Sequence, residues 1–217
     1  MITAFLNLKG GCGKSTSAVH LCRFLIERGV DVGLVDADGQ ATSSTWIGNL
    51  EEGIPRPTVY RLTDPDPILD ELPVISDNHE AVVVDGAGGL AEVQRAVLLL
   101  ADRVFIPIQP SIPDVSASFE AIKAIRRARH IRNGSPKAFT FLTRVVPNTL
   151  LLKEAREILR ENDDVPLLET EIPQRQAAAD AMGQGLTLFD LKGNRSASEV
   201  ARLYRQLFRE VDENGRA

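Results

Sequence analysis

Ile2-Thr3-Ala4-Phe5-Leu6-Asn7-Leu8 runs directly into Lys9-Gly10-Gly11-Cys12-Gly13-Lys14-Ser15-Thr16, and a stretch of helical spacing, Ser15 to Arg28, follows at once. An apolar strand, a glycine loop and a helix in that order make a phosphate cradle. Glycines let successive backbone N–H groups converge on phosphate oxygens, and the helix N-terminus adds a favourable dipole. Lys14 reaches the β and γ oxygens, and the Ser15 hydroxyl can ligate Mg²⁺. Gly10, Gly11, Cys12, Gly13 and Thr16 complete the candidate phosphate-binding set. The common spacing G-x-x-x-x-G-K-[ST] fails here, because Leu8 stands where its first glycine belongs, and Lys9 adds a second cation. The bland alternative is a glycine turn with an incidental lysine, and the ordered strand, Gly-Lys-Ser and helix weigh against it.

Outward from this loop, short β-branched runs alternate with longer helical spacings. That alternation predicts an α/β fold with a doubly wound, mostly parallel sheet flanked by helices. Further strands are predicted over Val32–Asp36, Ala81–Asp85, Val104–Gln109, Ala138–Thr143 and Leu167–Glu171. Helices are predicted over Ser15–Arg28, Ala91–Ala101, Val115–Ile131, Leu150–Glu161 and Ala197–Val211. The stretch from Glu51 to Asn78 holds Pro55, Pro57, Pro65, Pro67 and Pro73, so it reads as irregular apart from a short helix over Ile68–Leu72. No repeat or linker interrupts the 217 residues, which read as a single domain. The run Val82-Val83-Val84-Asp85 delivers one carboxylate to a strand end, where it can reach Mg²⁺.

Composition narrows the function classes. With 43% hydrophobic and 25% charged residues the chain is neither disordered nor a fibre, and two cysteines, Cys12 and Cys22, exclude a disulfide scaffold. No secretory leader or membrane-length apolar run is visible, so a cytoplasmic setting is expected. The net charge of −5 argues on its face against a polyanionic partner. Its distribution argues otherwise, since residues 119–160 carry ten basic and three acidic side chains. Arg126, Arg127 and Arg129 lie in that block as a candidate phosphate-binding patch, the alternative being a solvated helix face. His20, His79, His130 and Trp46 show no convergent partners in the sequence and read as packing or surface residues.

The loop K-G-G-x-G-K-[ST] resembles the deviant Walker A motif of the ParA/MinD group of dimeric P-loop ATPases. That resemblance implies ATP and Mg²⁺ as cofactors and an ATP-closed homodimer in which Lys9 reaches the partner's nucleotide. Asp36-Ala37-Asp38-Gly39-Gln40 looks like the family's D-x-D-P-Q segment, with Gly39 in place of proline. It implies that Asp38 orients or activates the attacking water and that Asp36 supports the magnesium shell. Asp85 matches the Walker B aspartate. Asp85-Gly86-Ala87-Gly88, the proline-rich Ile106 to Asp114, Phe141-Leu142-Thr143-Arg144 and Ile172-Pro173-Gln174-Arg175-Gln176 are similar to segments of the small ParF-like plasmid partition ATPases.

On that resemblance the expected function is DNA segregation. A slow ATPase, stimulated by a centromere-binding ParB-like adaptor, holds nonspecific DNA as a dimer or higher assembly and is nucleoid-associated. Arg144 matches a DNA-contacting arginine of the family, and Arg175 stands in for a second one at the neighbouring Ala177. The helix-turn-helix domain of larger relatives is not expected, because the first strand starts at Ile2. Positioning of a protein microcompartment or chemosensory cluster is the main alternative. MinD-like membrane cycling is disfavoured by Glu210, Asp212 and Glu213 on the last helix. An ATP-dependent polymer and a metabolic amide ligase or reductase complete the alternatives.

Overall fold

Strands β1 (Ile2–Phe5), β2 (Val32–Asp36), β3 (Thr58–Arg61), β4 (Ala81–Asp85), β5 (Arg103–Ile108) and β6 (Lys137–Leu142) form one all-parallel sheet in the order β3-β2-β4-β1-β5-β6. The computed structural model describes residues 1–89 and 91–214, with the side chains of Glu213 and Asn214 outside that description, so the repulsive role expected of Glu213 lies beyond it. The helices are α1 (Lys14–Ile26), α2 (Thr42–Gly48), α3 (Pro65–Asn78), α4 (Ala91–Leu100), α5 (Ile112–Ile131), α6 (Leu150–Arg160), α7 (Ala177–Gly183) and α8 (Arg195–Asn214).

Strands such as Ala81-Val82-Val83-Val84-Asp85 are buried at every position, as a parallel sheet covered on both faces requires. Two apolar cores result. One packs Ile68 and Leu72 of α3, Val93 and Val97 of α4, Ile122 of α5 and Leu152 of α6 against the sheet. The other packs Ala18 of α1, Trp46 of α2, Ala181 of α7 and Leu207 of α8 against the opposite face. Helix starts are fixed locally: the Ser111 hydroxyl accepts from the Asp114 N–H, and the Thr149 hydroxyl from the Leu152 N–H.

Two expectations change. The segment read as irregular contains the edge strand β3 and all fourteen residues of α3. Pro65 and Pro67 occupy its first turn, where a missing N–H costs nothing, and burial of Ile68, Leu72 and Ile75 carries the helix through Pro73. The strand expected at Leu167–Glu171 is instead an intermittent border on β6. Thr140 donates to the Pro166 carbonyl at 2.9 Å and Leu168 donates back to Thr140 at 2.8 Å, and the pairing there is an isolated bridge.

Strand order decides where a ligand can sit. β1 and β4 are neighbours, and the connection from β1 runs to β2 on one side while that from β4 runs to β5 on the other, so a crevice opens at their C-terminal ends. The glycine loop occupies that crevice. Asp36 and Asp85 end adjacent strands in direct register, which brings both carboxylates to the same edge.

Candidate functional site

Two glycines of the loop after β1, Gly11 and Gly13, hold backbone conformations that other residues adopt only under strain. Gly11 and Gly13 have φ of +78° and +95°, and Gly13 caps α1 in the left-handed region. Three side chains from elsewhere hold the loop's shape. Buried Asn7 accepts from the Lys9 N–H at 3.0 Å while donating to the Pro107 carbonyl at 2.8 Å. Gln109 donates to the Gly11 carbonyl at 2.9 Å, and the Thr143 hydroxyl to the Cys12 carbonyl at 2.8 Å. Burial pushes the Cys12 thiol above its usual range, against the pull of Lys14, so it serves as a neutral filler.

The two lysines differ in setting. Lys14 is buried, its ammonium donating to the Lys9 carbonyl at 3.0 Å, inside the loop that it would serve. Lys9 is exposed. Ser15 and Thr16 open α1 beside them, half-buried.

The carboxylates are sorted by their partners. Asp36 is buried and fully engaged, accepting from the Asp38 N–H at 3.1 Å and the Ser44 N–H at 2.8 Å. Half-buried Asp38 accepts from the Gln40 N–H at 3.0 Å and, across the crevice, from the Gly88 N–H at 3.2 Å. Asp85 is buried, and neither of its oxygens has a hydrogen-bond partner. Burial is the main reason its pKa rises to about 7; the Asp36 charge raises it further, while the nearby Ser15 and Ser43 hydroxyls and Lys14 oppose the rise. A buried carboxylate without a hydrogen-bond partner, near the Ser15 hydroxyl, offers the oxygen chemistry that Mg²⁺ takes. Among the described residues no group of three or more His, Cys, Asp or Glu converges on a metal.

Beside the loop lies a cavity of about 330 Å³, lined among others by Gly13, Thr16, Trp46, Thr143, Arg144 and Tyr204. Its size and its contact with the loop suit the base and sugar of a nucleotide. Sequence reading missed this wall, because Trp46 and Tyr204 sit on α2 and α8 with no motif around them. It also missed His20 as its brace. His20 Nδ1–H donates to the Thr16 carbonyl at 2.6 Å, its Nε2 accepts from the Leu188 N–H at 3.1 Å, and its ring stacks on Tyr204. His79 likewise has partners, in Asp31 at 2.7 Å and Tyr60 at 2.9 Å.

The candidate DNA-binding arginines separate into two places. Arg126, Arg127 and Arg129 lie in the second half of α5. There Arg126 pairs with Asp164 at 2.7 Å, Arg129 donates to the Pro136 and Asp164 carbonyls, and Arg127 is exposed. Arg144 and Arg175 stand instead at the cavity beside the loop, Arg144 exposed with φ +51° and Arg175 paired with Glu199 at 3.3 Å. Much of the basic block is therefore internally bonded. Arg132 donates to the Leu98 and Ala101 carbonyls at the end of α4, Arg156 grips Glu171, and Arg160 grips Glu169.

A family model described as the CobQ/CobB/MinD/ParA nucleotide binding domain matches residues 3–188. The chain is 33% identical to the maintenance of carboxysome distribution protein A of Halothiobacillus neapolitanus over 94% of both chains. It is 23% identical to the chromosome-partitioning ATPase Soj of Thermus thermophilus over 96% of this chain and 94% of that one. Among solved structures it resembles an ATP complex of a Cyanothece McdA variant, with a TM-score of 0.79, 14% identity and coverage of 97% and 96% of the two chains. The expected likeness to the ParA/MinD group holds at family level. The narrower likeness to plasmid partition ATPases gives way to a nearer one, to proteins named for carboxysome distribution.

Proposed function

The chain belongs to the CobQ/CobB/MinD/ParA nucleotide-binding family, and from that premise we propose that it is an ATP-driven positioning ATPase whose cargo is a large protein body. The observation that carries the chemistry is the meeting of Lys14, Ser15, Asp38 and the unpartnered Asp85 at one edge of the sheet. The cargo class rests on the 33% identity to a carboxysome distribution protein along nearly the whole chain.

In this reading Lys14 and the loop N–H groups bind the phosphates, while Ser15 and Asp85 hold magnesium, which when bound neutralises phosphate charge. Asp38, steadied by the Gly88 and Gln40 N–H groups, orients water for attack on the γ-phosphorus and takes its proton as the bond to the β-phosphate oxygen breaks. Exposed Lys9 is free to reach a partner subunit's nucleotide in a closed homodimer, where a second ammonium offsets the charge of the transferring phosphoryl group. Hydrolysis is slow until an adaptor on the cargo stimulates it, and nonspecific DNA, contacted through Arg127 and Arg144, serves as the track. A second reading keeps the chemistry and exchanges the cargo for plasmid or chromosomal DNA, supported by the weaker likeness to Soj.

The test has a biochemical and a cellular part. Asp38→Ala should lower ATP turnover by about a hundredfold or more while leaving an ATP-bound dimer, and Lys9→Ala should abolish the dimer but keep nucleotide binding. Full turnover in both variants would overturn the mechanism. In the source cell, deletion of the gene should cluster the protein bodies and leave plasmid inheritance intact; the reverse pattern would favour the second reading.

A further inference from the structure

Among the buried polar atoms without a hydrogen-bond partner are three on neighbouring elements, both carboxylate oxygens of Asp85 and the hydroxyl of Ser43. Both residues are 0% exposed. Buried polar groups are almost always bonded, and leaving one unpaired costs more than the bond itself would return. Three such atoms together mark an arrangement completed by something else. Their chemistry is complementary, since a hydroxyl can donate and a carboxylate can only accept.

The surroundings show what that completion would join. Asp85 ends β4, and the chain continues through Gly86 and Ala87 to Gly88, whose N–H donates to Asp38. The Asp38 N–H in turn donates to Asp36, and Asp36 accepts from the Ser44 N–H of α2. The Ser44 hydroxyl also holds the Ala41 carbonyl at 3.1 Å, tying α2 to the segment before it. Ser43 is the next residue back along α2, buried, and near enough to Asp85 for its hydroxyl to pull the Asp85 pKa down. A ring thus runs from Asp85 through Gly88, Asp38, Asp36 and Ser44 to Ser43, with one link unmade.

We propose that Ser43 is the positioning residue that closes this ring: with magnesium held by Ser15 and Asp85, the Ser43 hydroxyl donates to the Asp85 carboxylate, so that cation binding fixes α2 and with it Asp36 and Asp38. The inference rests on the nucleotide-binding reading and adds to it a route from cation to water-orienting aspartate. Ser43 touches neither phosphate nor water in this scheme. It acts by holding one carboxylate and by carrying that constraint to another.

The measurement is the ratio of affinities for a fluorescent, non-hydrolysable ATP analogue in saturating magnesium chloride and in EDTA. Ser43→Ala should leave the EDTA affinity within about twofold of wild type and shrink the magnesium-dependent tightening by about tenfold, the size of one hydrogen bond to a charged group. Ser43→Cys, of near-equal volume and a poorer donor, should fall between. Without nucleotide or magnesium, the thermal midpoint of Ser43→Ala should equal or exceed that of wild type, because an unpaired hydroxyl has been removed. An unaltered magnesium effect in both variants would overturn the role of Ser43 alone. A wild-type protein that binds no analogue in either buffer would overturn the nucleotide reading, and the role of Ser43 with it.

Discussion

Lowering the pH from 7.5 to 5 should remove the stability that one buried histidine contributes to this protein. His20 is 0% exposed, and both ring nitrogens are used in the neutral form, Nδ1–H by the Thr16 carbonyl and Nε2 by the Leu188 N–H. A proton on Nε2 would set two donors against each other beneath the stacked ring of Tyr204. Burial lowers the His20 pKa from 6.5 to about 4, against the hydrogen bond to the Thr16 carbonyl and the charge of Asp190, with Arg205 adding to the shift. A histidine whose folded value is depressed binds its proton first in the unfolded chain, so stability is lost as pH falls from about 6.5 toward 4. Linkage between those two values gives a loss of about 2 kcal/mol by pH 5 and about 3 kcal/mol below pH 4, a large part of the stability of an ordinary domain.

Urea unfolding at intervals between pH 7.5 and 5, on wild type and His20→Gln, isolates this contribution. Glutamine can serve the same carbonyl and N–H without titrating, so the variant should be less stable than wild type at pH 7.5 and should gain on it by about 2 kcal/mol by pH 5. Asp85 acts in the opposite sense, its raised value adding stability as pH falls, and being common to both proteins it cancels in the difference. Parallel pH profiles for the two proteins would refute the reasoning.

Trp46 is the only tryptophan in the chain, and it lines the cavity beside the loop. Its emission should therefore change on addition of ATP, saturating with nucleotide and lost in Lys14→Ala; an emission indifferent to saturating ATP would place the base elsewhere. A Cβ at Gly86 would sit 2.7 Å from the Phe5 carbonyl and closer still to the Leu6 side chain. Gly86→Ala should cost about 1–3 kcal/mol in denaturant unfolding, whereas Gly39→Ala, with open space around it, should cost less than about 1 kcal/mol.

The parts of the site that could be read from the sequence are those written by one strand and its exit. β1 with its loop and β4 with Asp85 each announce themselves within ten residues, because a fully buried parallel strand leaves an uninterrupted apolar run. The cavity wall has no such local signal, since Thr16, Trp46, Thr143 and Tyr204 come from four elements and are joined only by the winding of the sheet. β3 was hidden by its edge position, which half-exposes Val59 and Tyr60 and removes the burial signal. The basic block misled through its partners. Asp164, Glu169 and Glu171 lie just beyond residue 160 in sequence and against it in space, so summed charge overstated the cations left for DNA.

The three braces on the phosphate loop bear on how such a chain can vary. Asn7, Gln109 and Thr143 hold loop backbone groups from just beyond the ends of β1, β5 and β6, so the loop's form belongs to three strand exits as well as to its own glycines. Change at those positions is constrained by the loop backbone that they hold. A substitution at any of the three should therefore loosen the cradle while leaving every glycine and lysine of the loop in place.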